Sequence, residues 1–171
     1  AADMLEASRP WATNDYEPSD NSGNAGDRLR TSPALARLSK QVKDPGTGTF
    51  GTSTPQFTGG QTAEFRLQPT LTAGIEVDAT TPTTIEDCLP LGVVFLPETS
   101  NPVPTVVAPA GSEPGGATLA CATGETYVQW DLGPAPIGVQ LDPITYAVRI
   151  KRGAKAGTKV NTARITAEGD P

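Results

Sequence analysis

Apolar residues in this chain recur at every second position in short runs, and glycine or proline ends each run within about ten residues. Gly and Pro number 18 and 17 of the 171 residues. Alternation with period two places one set of side chains on one face of a strand. Frequent breakers leave no room for a helix of ordinary length. The pattern predicts an all-β, antiparallel sandwich of roughly seven to nine short strands.

The clearest runs share one parity. Leu38, Lys40 and Val42 alternate with Arg37, Ser39, Gln41 and Lys43. Ala63, Phe65 and Leu67 lie opposite Glu64 and Arg66. Ile85 and Asp87 share a face in the run 83–88, and 91–96 is a compact apolar stretch. Residues 74–78, 117–121 and 126–132 read as further strands. Ile144, Tyr146, Val148 and Ile150 form the longest clean alternation, and Asn161, Ala163, Ile165 and Ala167 the last. The Pro- and Gly-rich stretch 101–116 reads as a loop or an edge segment.

Residues 1–33 differ from the rest. They are polar and turn-rich, and few residues, among them Met4, Leu5, Trp11 and Tyr16, offer sizeable apolar surface. We read them as an extended arm or linker, with a short strand-like piece at 27–31, and 34–171 as the sandwich. The first ten residues lack the apolar centre of a signal peptide. A removed signal and a segment of a longer chain both fit that observation.

Composition excludes several functions. Aromatics are only 5% of residues, so the core must be built largely from Val, Ile, Leu and Ala. The net charge of −6 opposes binding to nucleic acid or to an anionic membrane surface. No apolar run is long enough for direct membrane insertion. Histidine is absent, which removes the commonest general base and metal ligand. We therefore expect no enzyme activity on an external substrate, no cofactor and no metal. Residues 15–27 carry calcium-type oxygens, but their spacing does not match an EF-hand loop. Glu64, Glu86 and Asp131 could in principle pair as glycosidase carboxylates, a weak signal on an acid-rich surface.

Five motifs, in order, resemble one family. Leu38-Ser39-Lys40-Gln41-Val42 is similar to its opening Leu-x-Lys-x-Val strand. The segment Asp87-Cys88-Leu89-Pro90-Leu91-Gly92 is similar to its Asp-x-Leu-Pro-x-Gly turn. Trp130-Asp131-Leu132-Gly133 resembles its Trp-x-(Leu/Ile)-Gly strand, and Ile144 to Ile150 its penultimate strand. Gly157-Thr158-Lys159-Val160-Asn161-Thr162-Ala163 resembles its closing Gly-Thr-x-x-x-Asn-Thr-Ala motif. The family is the DUF11 conserved repeat, Ig-like modules found in tandem in large bacterial and archaeal surface proteins. The match spans about 35–171 and departs from the family at the insert 101–116.

The resemblance implies an Ig-like module of a secreted or cell-surface filament, stalk or adhesin. Its partners would be copies of itself or neighbouring modules of the same chain. The arm would add a strand to a neighbour, with Trp11 and Leu29 as subunit contacts. The alternative is an adhesin module that binds a glycan or host protein through Trp11 or the insert.

Two residue sets carry chemistry. Lys40, Asp87 and Asn161 each occupy a face that is otherwise apolar. An unpartnered buried Lys is costly. A Lys on the first strand, an Asn on the last and an acid between them is the set with which Ig-like pilin and adhesin modules form an intramolecular isopeptide bond. The other reading is a buried Lys–Asp ion pair with Asn161 bonded to a turn. Cys88 and Cys121 read as one structural disulfide rather than as a reactive thiol or metal site, since no His and no Cys-x-x-Cys accompanies them.

Overall fold

The computed structural model describes residues 36–71, 83–133 and 141–166. Among these the chain is an all-β sandwich of two antiparallel sheets. Nine strands are present: β1 (Ala36–Lys43), β2 (Phe50–Gly51), β3 (Thr62–Leu71), β4 (Thr84–Leu89), β5 (Val93–Asn101), β6 (Val106–Pro109), β7 (Thr126–Asp131), β8 (Ile144–Ile150) and β9 (Thr162–Thr166). One sheet runs β2-β1-β3-β8-β5 and the other β6-β7-β4-β9. Trp11 and Leu29, the strand-like piece 27–31, the acidic stretch 15–27 and the run 74–78 lie outside the described residues.

Period-two alternation sets the register and the core. The inner face of the first sheet carries Ala63 and Leu67 of β3 with Ile144, Tyr146 and Val148 of β8, and Phe95 of β5. The inner face of the second carries Ile85 and Leu89 of β4, Val128 and Trp130 of β7, and Ile165 of β9. Phe65 pairs with Tyr146, and Ile85 lies between Trp130 and Ile165. Each large apolar side chain fully buried here stabilises by about 1.5–3 kcal/mol. Trp130 is wholly buried, yet its indole N–H reaches Ser100 Oγ at 3.0 Å and the Pro102 carbonyl at 3.1 Å. Pro69, which has no N–H to give, sits where β3 pairs only with β1, beyond its ladder with β8.

Turn chemistry closes the strands where the sequence places breakers. Asp44 ends β1: its Oδ1 accepts the Gly46 N–H at 2.7 Å, and its carbonyl accepts Gly48 N–H at 2.8 Å. Gly48 has φ 72°, which favours glycine. The β4–β5 connection turns at Gly92, with φ 98°. A Cβ there would meet the Ala154 methyl at 3.2 Å, so the neighbouring loop also requires glycine.

Two strand expectations need correction, at 117–121 and at the start of the last alternation. Residues 117–121 form no strand. Thr118 gives both its N–H and its hydroxyl to the Glu86 carboxylate, so its donors are spent on a side chain rather than on a ladder. The insert 101–116, read as a loop or an edge segment, contains an edge strand, β6, beside β7. The last alternation begins its pairing at Thr162, and Asn161 immediately precedes β9.

Candidate functional site: a buried polar chain between the sheets

β4 is buried on both faces, and each face holds a carboxylate. Asp87 points inward with no exposed surface. Glu86 points outward and is 2% exposed, because the segment after β6 crosses over it. The two acids serve different ends.

Asp87 anchors the inner site. Lys40, on β1 of the opposite sheet, places Nζ 2.6 Å from both Oδ1 and Oδ2. The Lys40 side chain is 17% exposed. Its ammonium also lies 5.5 Å from the Phe65 ring centroid and 6.0 Å from that of Tyr146. Tyr146, from β8, donates its hydroxyl to Asp87 Oδ2 at 2.5 Å. Asn161 donates Nδ2–H to the same phenol oxygen at 3.2 Å. Asn161 Oδ1 is buried and has no hydrogen-bond partner among the described residues. The result is one continuous chain: Lys40, Asp87, Tyr146, Asn161.

Burial governs the electrostatics. Desolvation lowers the Lys40 pKa against the opposing pull of Asp87. Desolvation raises the Asp87 pKa, with Lys40 and the Tyr146 hydrogen bond acting the other way. Both shifts favour the uncharged forms. Moving one proton along the 2.6 Å contact converts ammonium and carboxylate into amine and carboxylic acid with no change in net charge. Burial also raises the Tyr146 phenol well above its ordinary range, reinforced by the adjacent Asp87.

The three residues singled out in the sequence therefore come together, and a fourth joins them. Parity placed Tyr146 on the core face between Ile144 and Val148. Its hydroxyl there needed a partner, which is the signal that points to it. Lys40 and Asn161 also line an open cleft of about 950 Å³, together with Val42, Phe57, Val148 and Lys159.

The first strand, β1, and the last, β9, belong to different sheets. β1 takes the position beside β3, and β9 pairs with β4 in the other sheet. They approach across the sandwich rather than through a shared ladder. A Lys40–Asn161 link would thus tie sheet to sheet.

Cys88 and Cys121 are disulfide-bonded, and no free cysteine is present among the described residues. The bridge joins β4 to the crossing segment rather than to another strand. Glu86 completes that attachment. It accepts Thr118 N–H at 2.9 Å, the Thr118 hydroxyl, and the Tyr127 hydroxyl at 2.7 Å. Glu125 lies near the two sulfurs, but the disulfide occupies them as ligands. Glu64 is on the first sheet, paired with Lys43 at 2.9 Å, and Asp131 accepts from Gln129. Glu64 thus lies in the other sheet from Glu86 and Asp131. No helix among the described residues is long and apolar enough to cross a membrane.

Comparison with protein-family models, with curated proteins and with solved structures returns no match.

Proposed function

We propose that this chain is a structural module of a secreted or cell-surface filament, stalk or adhesin, whose two sheets are joined by a self-formed isopeptide bond between Lys40 and Asn161. The observation that carries the reading is the Lys40–Asp87–Tyr146–Asn161 chain inside an otherwise apolar core, with one carboxamide oxygen left unpartnered among the described residues. A buried ion pair is weak support for stability, because desolvation consumes most of the Coulombic gain. A reactive role accounts for retaining the set.

The chemistry follows from the site's own groups. A proton passes from Lys40 Nζ to Asp87, which leaves a neutral amine beside a carboxylic acid. The amine attacks Asn161 Cγ. The Cγ–Nδ2 bond then breaks and ammonia departs with one of the two protons that Nζ gives up, while Asp87 keeps the other as a carboxylic acid. One N–C bond forms and one breaks, so no oxidant or cofactor is required. The cleft against Lys40 and Asn161 offers ammonia a way out.

The protein would turn over no external substrate. Its disulfide supports an oxidising compartment. The likeness of its motifs to the DUF11 repeat supports assembly with copies of itself or with adjoining modules, through residues 1–33 with Trp11 and Leu29 as contacts. Intact mass spectrometry tests the bond. The disulfide-bonded chain should weigh one ammonia less than its sequence, and Lys40→Ala, Asp87→Ala and Asn161→Ala should restore the full mass. A wild-type chain at full mass would leave only an ion-pair network.

A further inference from the structure

We infer that Tyr146 is the proton relay of this site, passing the proton of Asp87 to the departing nitrogen of Asn161. The inference rests on the proposed cross-link and concerns how its leaving group is protonated. Both Asp87 oxygens are held by Lys40, and the Asn161 amide nitrogen contacts the Tyr146 phenol oxygen. Among the described residues that phenol alone touches acid and carboxamide at once, at 2.5 Å and 3.2 Å.

The direction of the hydrogen bonds changes at the right moment. An amide nitrogen only donates, so before attack Nδ2–H points to the phenol oxygen and the phenol proton points to Asp87. Attack at Cγ converts Nδ2 into an amine nitrogen with a basic lone pair. It then accepts the phenol proton, and the phenol oxygen takes one from the Asp87 carboxyl. Asp87 recovers its proton from the Nζ that has just bonded. Ammonia leaves, Tyr146 is again a neutral phenol, and Asp87 is again the carboxylic acid that it was at the moment of attack. An ordinary phenolate would be poor at this task in a dry site, but here the phenol is never left ionised, because both transfers run along existing contacts. Burial that holds the Tyr146 proton firmly is consistent with such a paired transfer.

The test follows bond formation by intact mass during cell-free synthesis of the full chain. Wild type should lose ammonia as it folds. Tyr146→Phe keeps the ring and its stack on Phe65, so it should fold with its disulfide intact and lose ammonia at least ~100-fold more slowly, the scale of general acid catalysis. Equal rates would overturn the relay while leaving the cross-link standing. A wild type that never loses ammonia would defeat the cross-link itself. Should Tyr146→Phe fail to fold, 3,5-difluorotyrosine placed at 146 retains ring and hydroxyl but lowers the phenol pKa. The rate and its pH profile should then shift, and an unchanged profile would overturn the relay.

Discussion

Lys40 and Asp87 come from opposite sheets, yet Nζ stands 2.6 Å from both oxygens of a carboxylate that has no exposed surface. The pair fixes the facing of β1 on β4. Because Asp87 is fully buried and Lys40 mostly so, the loss of one costs more than the loss of both.

In an Asn161→Ala background, where no cross-link can form, Asp87→Leu should destabilise the fold by about 3–5 kcal/mol, since it strands a buried amine. Lys40→Met combined with Asp87→Leu should recover most of that loss. Urea denaturation of the three proteins reads the difference. Additive losses would mean that the two groups do not depend on each other.

Much of this site was legible from parity alone. Lys40, Asp87 and Asn161 each interrupted an apolar face, and each is found where its face placed it. Tyr146 escaped because a tyrosine among Ile144 and Val148 reads as ordinary core until its hydroxyl's partner is known. Parity also fixes which face a residue takes but not which sheet its strand enters, so β9 fell beside β4 rather than β1. The error at 117–121 has the same origin. Local alternation there was real, but Glu86, 32 positions from Thr118, captures the backbone donor. No short window of sequence holds that information.

The outward face of β4 gives a second stability prediction. The disulfide closes a loop across a separation of 33 residues, which should contribute on the order of 4 kcal/mol by restricting the unfolded chain. Cys88→Ala with Cys121→Ala should lower the denaturation midpoint accordingly. Amide exchange should quicken at Thr118 and Cys121, whose N–H groups bond Glu86 and Glu113. Unchanged exchange there would show that Glu86 alone holds the segment.

Glu86 itself should be sensitive to truncation. Glu86→Ala leaves the Thr118 N–H without its acceptor, at a cost of about 1–3 kcal/mol if that group stays buried, while the Tyr127 hydroxyl still has Gln129 Oε1 at 2.7 Å. Glu86→Gln keeps an acceptor and should cost less. Thermal melts of the two variants order them.

Alkaline pH should weaken the fold. Burial raises the pKa of both Tyr127 and Tyr146, reinforced by Glu86 in the first case and Asp87 in the second. The unfolded chain releases these protons near pH 10. The native state still holds them there, so it binds more protons than the unfolded state and stability falls as pH rises. The contribution is fully present below about pH 10 and is lost as pH climbs through the native values. Ultraviolet titration at pH 11 should find at most one of the three tyrosines ionised in the folded protein, and all three after denaturation. Early ionisation of a second tyrosine would place one of the two phenols in contact with water.

The proposed bond has a mechanical consequence that depends on its bridging two sheets. Without it, a pull on both ends of the sandwich is resisted by the β1–β3 and β4–β9 ladders and by the packing between β1 and β9. With it, force passes from β1 to β9 through covalent bonds, and the chain between Lys40 and Asn161 carries no load. Single-molecule stretching should therefore extend wild type without releasing that chain at any force short of bond rupture. Asn161→Ala, which keeps the Lys40–Asp87 pair, should unfold in an added step of ~30 nm, set by a span of about 3.3–3.6 Å per residue over the part of that chain that the Cys88–Cys121 disulfide does not close off. A wild-type trace with the same long step would mean that the two strands are held only by packing.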